Sequence, residues 1–370
     1  MSEKIISADS HMCEPPNLWV ERIDHRFRDR APRVVKDPDG KKGSFFVCEN
    51  LPPFRVSGAF AAGKTFDKSF MEAGLENAIP GGWNPAERVK DMDLDGVAAE
   101  VLYTTCAFVL FWLDDAPLQE ACFRVYNDWL AEFCSYDQKR FAGLGLIPLF
   151  DIEHGRQELI RCKKLGLRGA MIWASPPEDQ PYRSSAYDSF WATAQELEIP
   201  LSLHLVTGKS KHSQQDESNL VDLYVRMINR PHEIQDSLLT LIFSGVLERF
   251  PQLKLVSAEA DVAWVPHMLE RADKYFRRFK QGYDVTLSLK PSEYFRRQVY
   301  ATFIDDPMGL QTYQMLGGAD NIMWSTDYPH QASTFPHTRE FIEQAFKGVP
   351  EADKRKIVCD NAAKLYGFAV

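Results

Sequence analysis

The 370-residue sequence predicts an α/β fold, a somewhat distorted (β/α)8 TIM barrel with a long insertion after its first strand. Three observations lead there. Eight short apolar runs alternate with helical segments, and most are too uniformly apolar to have a wet face, as expected of parallel strands under helical cover. The length suits such a barrel, since α/β barrels routinely exceed the usual domain size. Carboxylates and imidazoles gather at the ends of the runs, which in a barrel means one rim. A doubly wound open sheet is the competitor, but no G-x-G-x-x-G follows the first strand and no Walker A pattern is present.

The elements follow in order. Ile5–Ala8 is the first strand. A helix at Pro85–Asp95, with proline near its start and Gly96 past its end, leads into the second strand, Val97–Tyr103. Phe123, Tyr126, Leu130 and Phe133 lie at helical spacing within Pro117–Tyr136. Ala142–Leu149 is the third strand, and the helix Ile152–Leu165 stops at Gly166. Arg168–Trp173 is the fourth, and Phe190, Trp191, Ala194 and Leu197 mark the next helix. Pro200–Val206, the fifth strand, contains His204. Leu220–Phe250 reads as helix interrupted at Pro231, and Lys254–Ala258, the sixth strand, ends against Glu259. In the helix Val262–Arg278, Pro266 is early enough to fit the first turns. Val299–Phe303 and Asn321–Ser325 are the seventh and eighth strands, and helices Pro336–Phe346 and Glu351–Tyr366 close the chain.

Residues 25–84 break this rhythm. The whole chain, 1–370, reads as one barrel domain, with this stretch as an inserted lid. Arg33–Val35 and Ser44–Val47 flank Asp37-Pro38-Asp39-Gly40, a hairpin signal with Gly40 where positive φ is needed. Long connections in compact domains are usually lids or binding loops. This one leaves the first strand directly and should arch over the barrel mouth, together with the polar segment Gly208–Asn219.

Hydrophobic residues make up 45% and aromatics 12%, enough for a large core. The net charge of −9 argues against nucleic-acid or anionic-membrane partners. Seven cysteines (13, 48, 106, 122, 134, 162, 359) form no C-x-x-C pair, which fits a reducing compartment and excludes a zinc ribbon. No apolar stretch approaches 18 residues. The expectation is a soluble cytoplasmic protein acting on a small molecule.

Asp9 and His11, at i and i+2 of a strand, face one side, and Glu14 follows a turn later. His204 sits inside the apolar run Leu201–Val206. Glu259 and Asp327 each end an apolar strand, where an uncompensated carboxylate would cost several kcal/mol. Imidazoles and carboxylates are the usual ligands of a catalytic divalent metal. Asp9, His11, Glu14, His204, Glu259 and Asp327 are therefore the candidate ligands for Zn, Mn or Fe, one or two ions per chain. His330, three residues beyond Asp327, is a candidate donor to ligand or substrate. His267 reads as a helix-surface residue. Arg55, Trp83 and Tyr182 are substrate contacts by position only.

Several phrases in this order resemble the amidohydrolase-related family that includes aminocarboxymuconate-semialdehyde decarboxylase and related aromatic-acid decarboxylases and hydrolases. They are Ala8-Asp9-Ser10-His11 with Glu14-Pro15, Asp91–Val97, Arg140–Leu144 with Ile147-Pro148-Leu149, Gly245–Lys254, Trp264-Val265-Pro266, Ser325–His330 and Asp360–Ala363. The resemblance implies a metal-dependent barrel enzyme and favours a homodimer. By position, His11, His204 and Asp327 resemble three family ligands. Asp9 stands where the family often has the first histidine of a His-x-His pair. Glu259 stands where many members have an acid/base histidine.

These two departures make the pocket more anionic. With them, the sequence favours a hydrolase in which a metal-activated water attacks an ester, thioester, amide or lactone. Glu259 or Asp327 would move the proton and His330 would assist. The alternative is a non-oxidative decarboxylase of an aromatic or unsaturated acid. That reaction wants a neutral proton donor, and nearby metal charge opposes the raised pKa Glu259 would need. A further alternative is a dinuclear iron or manganese enzyme that activates oxygen.

Overall fold

The computed structural model describes residues 4–209, 220–282 and 287–369. Its strands are β1 (Ile5–His11), β2 (Arg33–Lys36), β3 (Ser44–Val47), β4 (Phe54–Arg55), β5 (Val97–Tyr103), β6 (Phe141–Leu146), β7 (Gly169–Ile172), β8 (Leu201–His204), β9 (Leu255–Ala258), β10 (Val299–Phe303) and β11 (Ile322–Trp324). Eight of them form one parallel sheet in the order β1-β5-β6-β7-β8-β9-β10-β11, with helices between successive strands. The residues of β6 to β11 are all buried, which explains the uniformly apolar runs. The sheet curls into a nearly closed TIM barrel. At its seam Asp327 N–H donates to the Asp9 carbonyl at 3.0 Å and His11 N–H to the Tyr328 carbonyl at 2.6 Å.

All eight expected barrel strands are found, with small shifts at their ends. β1 runs on to His11, so Asp9 and His11 lie on the strand itself. β8 stops at His204, and Val206, with φ 76°, turns the chain away. The helix expected over Leu220–Phe250 is three pieces, Leu220–Asn229, Pro231–Phe243 and Val246–Arg249. Pro231 takes the first position of a new helix, where its missing N–H costs nothing, and Gly245 makes the second break at φ 75°. Asn84 caps helix Pro85–Asp95 by accepting from Ala86 N and Glu87 N at 3.0 and 3.3 Å.

In the 25–84 excursion the expected hairpin is present: β2 pairs antiparallel with β3, and β4 adds a third strand. Gly40 has φ 77° as anticipated. The excursion returns to the loops that follow β1 and β11. Ala62 N–H donates to the Pro329 carbonyl at 3.0 Å, and Cys13 N–H to the Gly82 carbonyl at 2.8 Å. A Cβ on Gly82 would lie 2.7 Å from Cys13 Cβ, so this close approach needs glycine. Of the polar segment Gly208–Asn219, residues 210–219 lie outside the described part of the structure.

Candidate active site

Four strand ends bring the predicted chemistry to one mouth of the barrel. β1 supplies Asp9 and His11, β8 supplies His204, and Glu259 and Asp327 stand just past β9 and β11. His11 Nε2 lies 3.3 Å from Asp9 Oδ1 and 3.1 Å from Asp327 Oδ1. His204 Nε2 lies 3.6 Å from Asp9 Oδ1 and 3.3 Å from Glu259 Oε2. His330 joins them: its Nδ1 is 2.8 Å from Asp327 Oδ1, and its ring stacks on His11 with centres 4.0 Å apart.

Two groups of donors are compact enough to hold an ion, Asp9–His11–His204 and His11–Asp327–His330, which share His11. Asp9 Oδ1, His11 Nε2, His204 Nε2 and Asp327 Oδ1 are all buried with no hydrogen-bond partner. Buried polar atoms are normally satisfied, so four orphans facing one another mark a place for a cation. The other nitrogen of each imidazole fits that role. His11 Nδ1 is 2.7 Å from the Thr104 carbonyl and His204 Nδ1 is 2.9 Å from the Leu205 carbonyl. A carbonyl only accepts, so Nδ1 carries the proton and Nε2 turns its lone pair inward, the usual arrangement of a metal-binding histidine.

The local backbone is held against its preference. Glu259 and Asp327 have φ 53° and 55°, a left-handed region that costs a non-glycine residue about 1–3 kcal/mol and gathers at functional sites. Asp9 Oδ2 accepts from Thr302 Oγ1 at 3.1 Å, and Thr302 Oγ1 accepts from Glu259 N–H at 2.8 Å, so β10 ties the two carboxylate residues together. Phe108 packs its ring 4.5 Å from that of His204, and Thr105 Oγ1 is 2.9 Å from His330 Nε2.

Burial would lower the pKa of His11, but the carboxylates of Asp327 and Asp9 outweigh it and raise the value well above the ordinary one. Burial would raise Asp327 and Asp9, and the neighbouring imidazoles hold both below the usual range. Burial and His11 depress His330 against the pull of Asp327. Glu259 goes the other way. Burial first, then the charge of Asp327, push it up to about 7. Its side chain is 28% exposed at the mouth, the most open of the set.

Glu14 departs from the sequence expectation. Both its oxygens are taken up elsewhere: Thr105 N–H and Ala107 N–H donate to Oε1 at 3.1 and 3.4 Å, Cys106 N–H to Oε2 at 2.9 Å, and the Thr104 hydroxyl to Oε1. It caps the short helix Cys106–Trp112, belongs to neither donor group, and reads as structural. His267 is exposed on its helix, as expected. Arg55 binds the carbonyls of Lys42 and Met71 within the excursion, and buried Tyr182 donates to the Trp173 carbonyl at 2.6 Å. Trp83 is 38% exposed.

A family model described as Amidohydrolase matches residues 50–368. The chain belongs to the amidohydrolase family. It is 26% identical over 294 residues to the gamma-resorcylate decarboxylase of Polaromonas sp., covering 75% of this chain and 86% of that protein. The structure of an amidohydrolase from Mycobacterium avium subsp. paratuberculosis superposes with a TM-score of 0.80 at 21% identity, covering 99% of this chain and 100% of that one. A 5-carboxyvanillate decarboxylase from Novosphingobium aromaticivorans, complexed with manganese and 4-hydroxy-3-methoxy-5-nitrobenzoic acid, superposes at 0.71 with 19% identity, covering 99% and 97%.

These likenesses correct the hydrolase expectation, because the sequence relatives are decarboxylases, one of gamma-resorcylate and one of 2-amino-3-carboxymuconate-6-semialdehyde. That expectation rested on Glu259 being a poor proton carrier. In the metal-free protein burial and the charge of Asp327 push this carboxyl up to about 7, whereas a bound cation would pull it back down, so the correction rests on the relatives. Among the described residues, no helix is long and apolar enough to cross a membrane.

Proposed function

We propose that this amidohydrolase is a metal-dependent, non-oxidative decarboxylase of an aromatic acid of the hydroxybenzoate type. The observation that carries the metal is the set of four buried orphan atoms on Asp9, His11, His204 and Asp327. The likeness to gamma-resorcylate decarboxylase over three quarters of the chain supports the reaction. Manganese in the Novosphingobium enzyme makes it the first ion to try. Asp9, His11, His204 and Asp327 would hold the ion. Bound there, it supplies positive charge that orients an anionic acid and stabilises negative charge developing on it.

The rest falls to the side chains. Breaking the C–CO2 bond leaves an electron pair on the ring carbon, which must gain a proton as CO2 leaves. Glu259, outside both donor groups and open to the mouth, carries that proton; Asp327, held ionised by His330 and His11, is not its store. His330, stacked on His11 and anchored by Thr105, fixes the Asp327 carboxylate and walls one side. Seven thiols and no disulfide support a reducing, cytoplasmic setting, and the family resemblance supports a homodimer, which sedimentation would check.

The test is CO2 release, followed by absorbance and headspace analysis, from manganese-loaded protein given gamma-resorcylate, 5-carboxyvanillate and simpler hydroxybenzoates. Turnover of at least one is expected. No CO2 from any of them, with manganese bound, would end this reading.

A further inference from the structure

Helix Pro85–Asp95 lies outside the barrel, yet one of its side chains reaches both stretches that carry the proposed ligands. Arg88 is fully buried. Its Nη1 donates to the His11 carbonyl at 2.8 Å and, more weakly, to the Gly81 carbonyl at 3.4 Å. Its Nη2 lies 3.4 Å from the Tyr328 carbonyl, the group that also accepts His11 N–H across the seam. The guanidinium stacks over the Tyr328 ring, 4.4 Å from its centre, and the Tyr328 hydroxyl bonds to Asp91 one turn along the same helix.

The charge is balanced from the neighbouring strand. Arg88 Nε donates to Glu100 Oε2 on β5 at 2.6 Å, and Glu100 Oε1 accepts from Ser10 Oγ at 3.2 Å. Ser10 stands between Asp9 and His11. The planar fork of one guanidinium therefore gathers β1, β5 and the turn after β11; β1 and β5 also pair along a parallel ladder, whereas β1 meets the β11 turn through single bonds such as Asp327 N–H to Asp9 and His11 N–H to Tyr328. A buried arginine held this way is an expensive means of general stabilisation, since well-packed apolar residues do as well or better. Its donors end on the backbone of the two segments that must stay in register for Asp9, His11 and Asp327 to face one ion.

We infer that Arg88, with Glu100 as its counter-charge, is a positioning residue that sets the spacing of the β1 and Asp327 donors and so tunes metal affinity. This rests on the metal site proposed above and adds a cause for its geometry. Lysine keeps the charge but lacks the fork, and cannot serve the His11 and Tyr328 carbonyls and Glu100 together.

The test compares wild type, Arg88→Lys and Glu100→Gln, stripped of metal and titrated with Mn2+, reading free Mn2+ by electron paramagnetic resonance and the urea midpoint of each metal-free protein. Arg88→Lys should fold and bind Mn2+ about 10- to 100-fold more weakly, the usual cost of losing a partner that orients ligands. Glu100→Gln leaves the guanidinium donors in place and should lose less affinity. In both, KM for the acid at saturating Mn2+ should stay near wild type. A lysine variant with wild-type Mn2+ affinity overturns the inference, as does loss of urea midpoint in both variants with no change in affinity. If wild type itself binds no Mn2+, it is the site reading that fails.

Discussion

The backbone N–H of Asp327 donates to the carbonyl of Asp9 at 3.0 Å. Residues from the two ends of the chain thus share a hydrogen bond, and each aims an unsatisfied buried carboxylate oxygen at His11 Nε2. His11 Nδ1 is occupied by the Thr104 carbonyl, so His11 offers one lone pair to the two donor groups that share it. One lone pair serves one ion. Elemental analysis of protein loaded with Mn2+ and desalted should give about one ion per chain. A value near two would restore the dinuclear arrangement.

Binding to the folded state alone stabilises it by about 2.7 kcal/mol at a free metal concentration 100 times the dissociation constant. The thermal midpoint should therefore rise with added Mn2+ and fall with chelator. Asp327→Asn removes one anionic donor and should flatten that response. A midpoint indifferent to both Mn2+ and chelator, measured by calorimetry, would exclude a metal in this cluster.

Without metal, protons take the ion's place. The pKa of His11 is raised above its unfolded value of about 6.5. A raised histidine stabilises the fold fully below the unfolded pKa, and this stability is lost as pH rises through the folded value. Glu259, raised to about 7, has the same sign and loses its contribution between its unfolded range and pH 7. His330, depressed, acts oppositely, but only below about 6.5. As pH rises above 6.5 the metal-free protein should grow less stable while its Mn2+ affinity rises, because the ion displaces the His11 proton. Urea midpoints and calorimetry in buffers of different ionisation enthalpy measure both. A flat or rising midpoint over that window would show that His11 carries no extra proton.

The barrel was legible because its strands are apolar on both faces and short, and because Pro85, Gly96 and Pro231 punctuate its helices where the backbone requires. The convergence of Asp9, His11, His204, Glu259 and Asp327 was legible too, since strand ends share one rim in a barrel. Glu14 was read as a ligand from its spacing to His11; only the fold brings the N–H groups of 105–107 around its carboxylate, which no spacing in the sequence announces. Arg88 was missed, although a signal existed. Glu100 stands in the middle of the apolar strand Val97–Tyr103, and a carboxylate there demands a buried cation. Nothing in sequence says which arginine answers.

Glu259 separates binding from chemistry. It lies outside both donor groups, 3.3 Å from His204 on the open side of the cluster. Glu259→Gln keeps the shape and removes the transferable proton. We expect bound Mn2+ to stay near one per chain while kcat falls by about 100-fold or more, the usual weight of a general acid. Loss of manganese together with activity would make Glu259 a ligand and leave the proton donor unassigned.

Glu14 gives the opposite pattern. Its carboxylate accepts from three backbone N–H groups and one hydroxyl inside the protein, none of which has water to turn to. In Glu14→Gln the amide end can accept at only one of the two former oxygens and presents a donor to the Cys106 or Thr105 N–H. Leaving a buried donor unmet costs about 1–3 kcal/mol. Glu14→Gln should therefore lower the urea midpoint by that equivalent, while Mn2+ bound per folded chain stays at the wild-type value. A variant of unchanged stability that cannot bind Mn2+ would return Glu14 to the metal site and displace the capping role assigned to it.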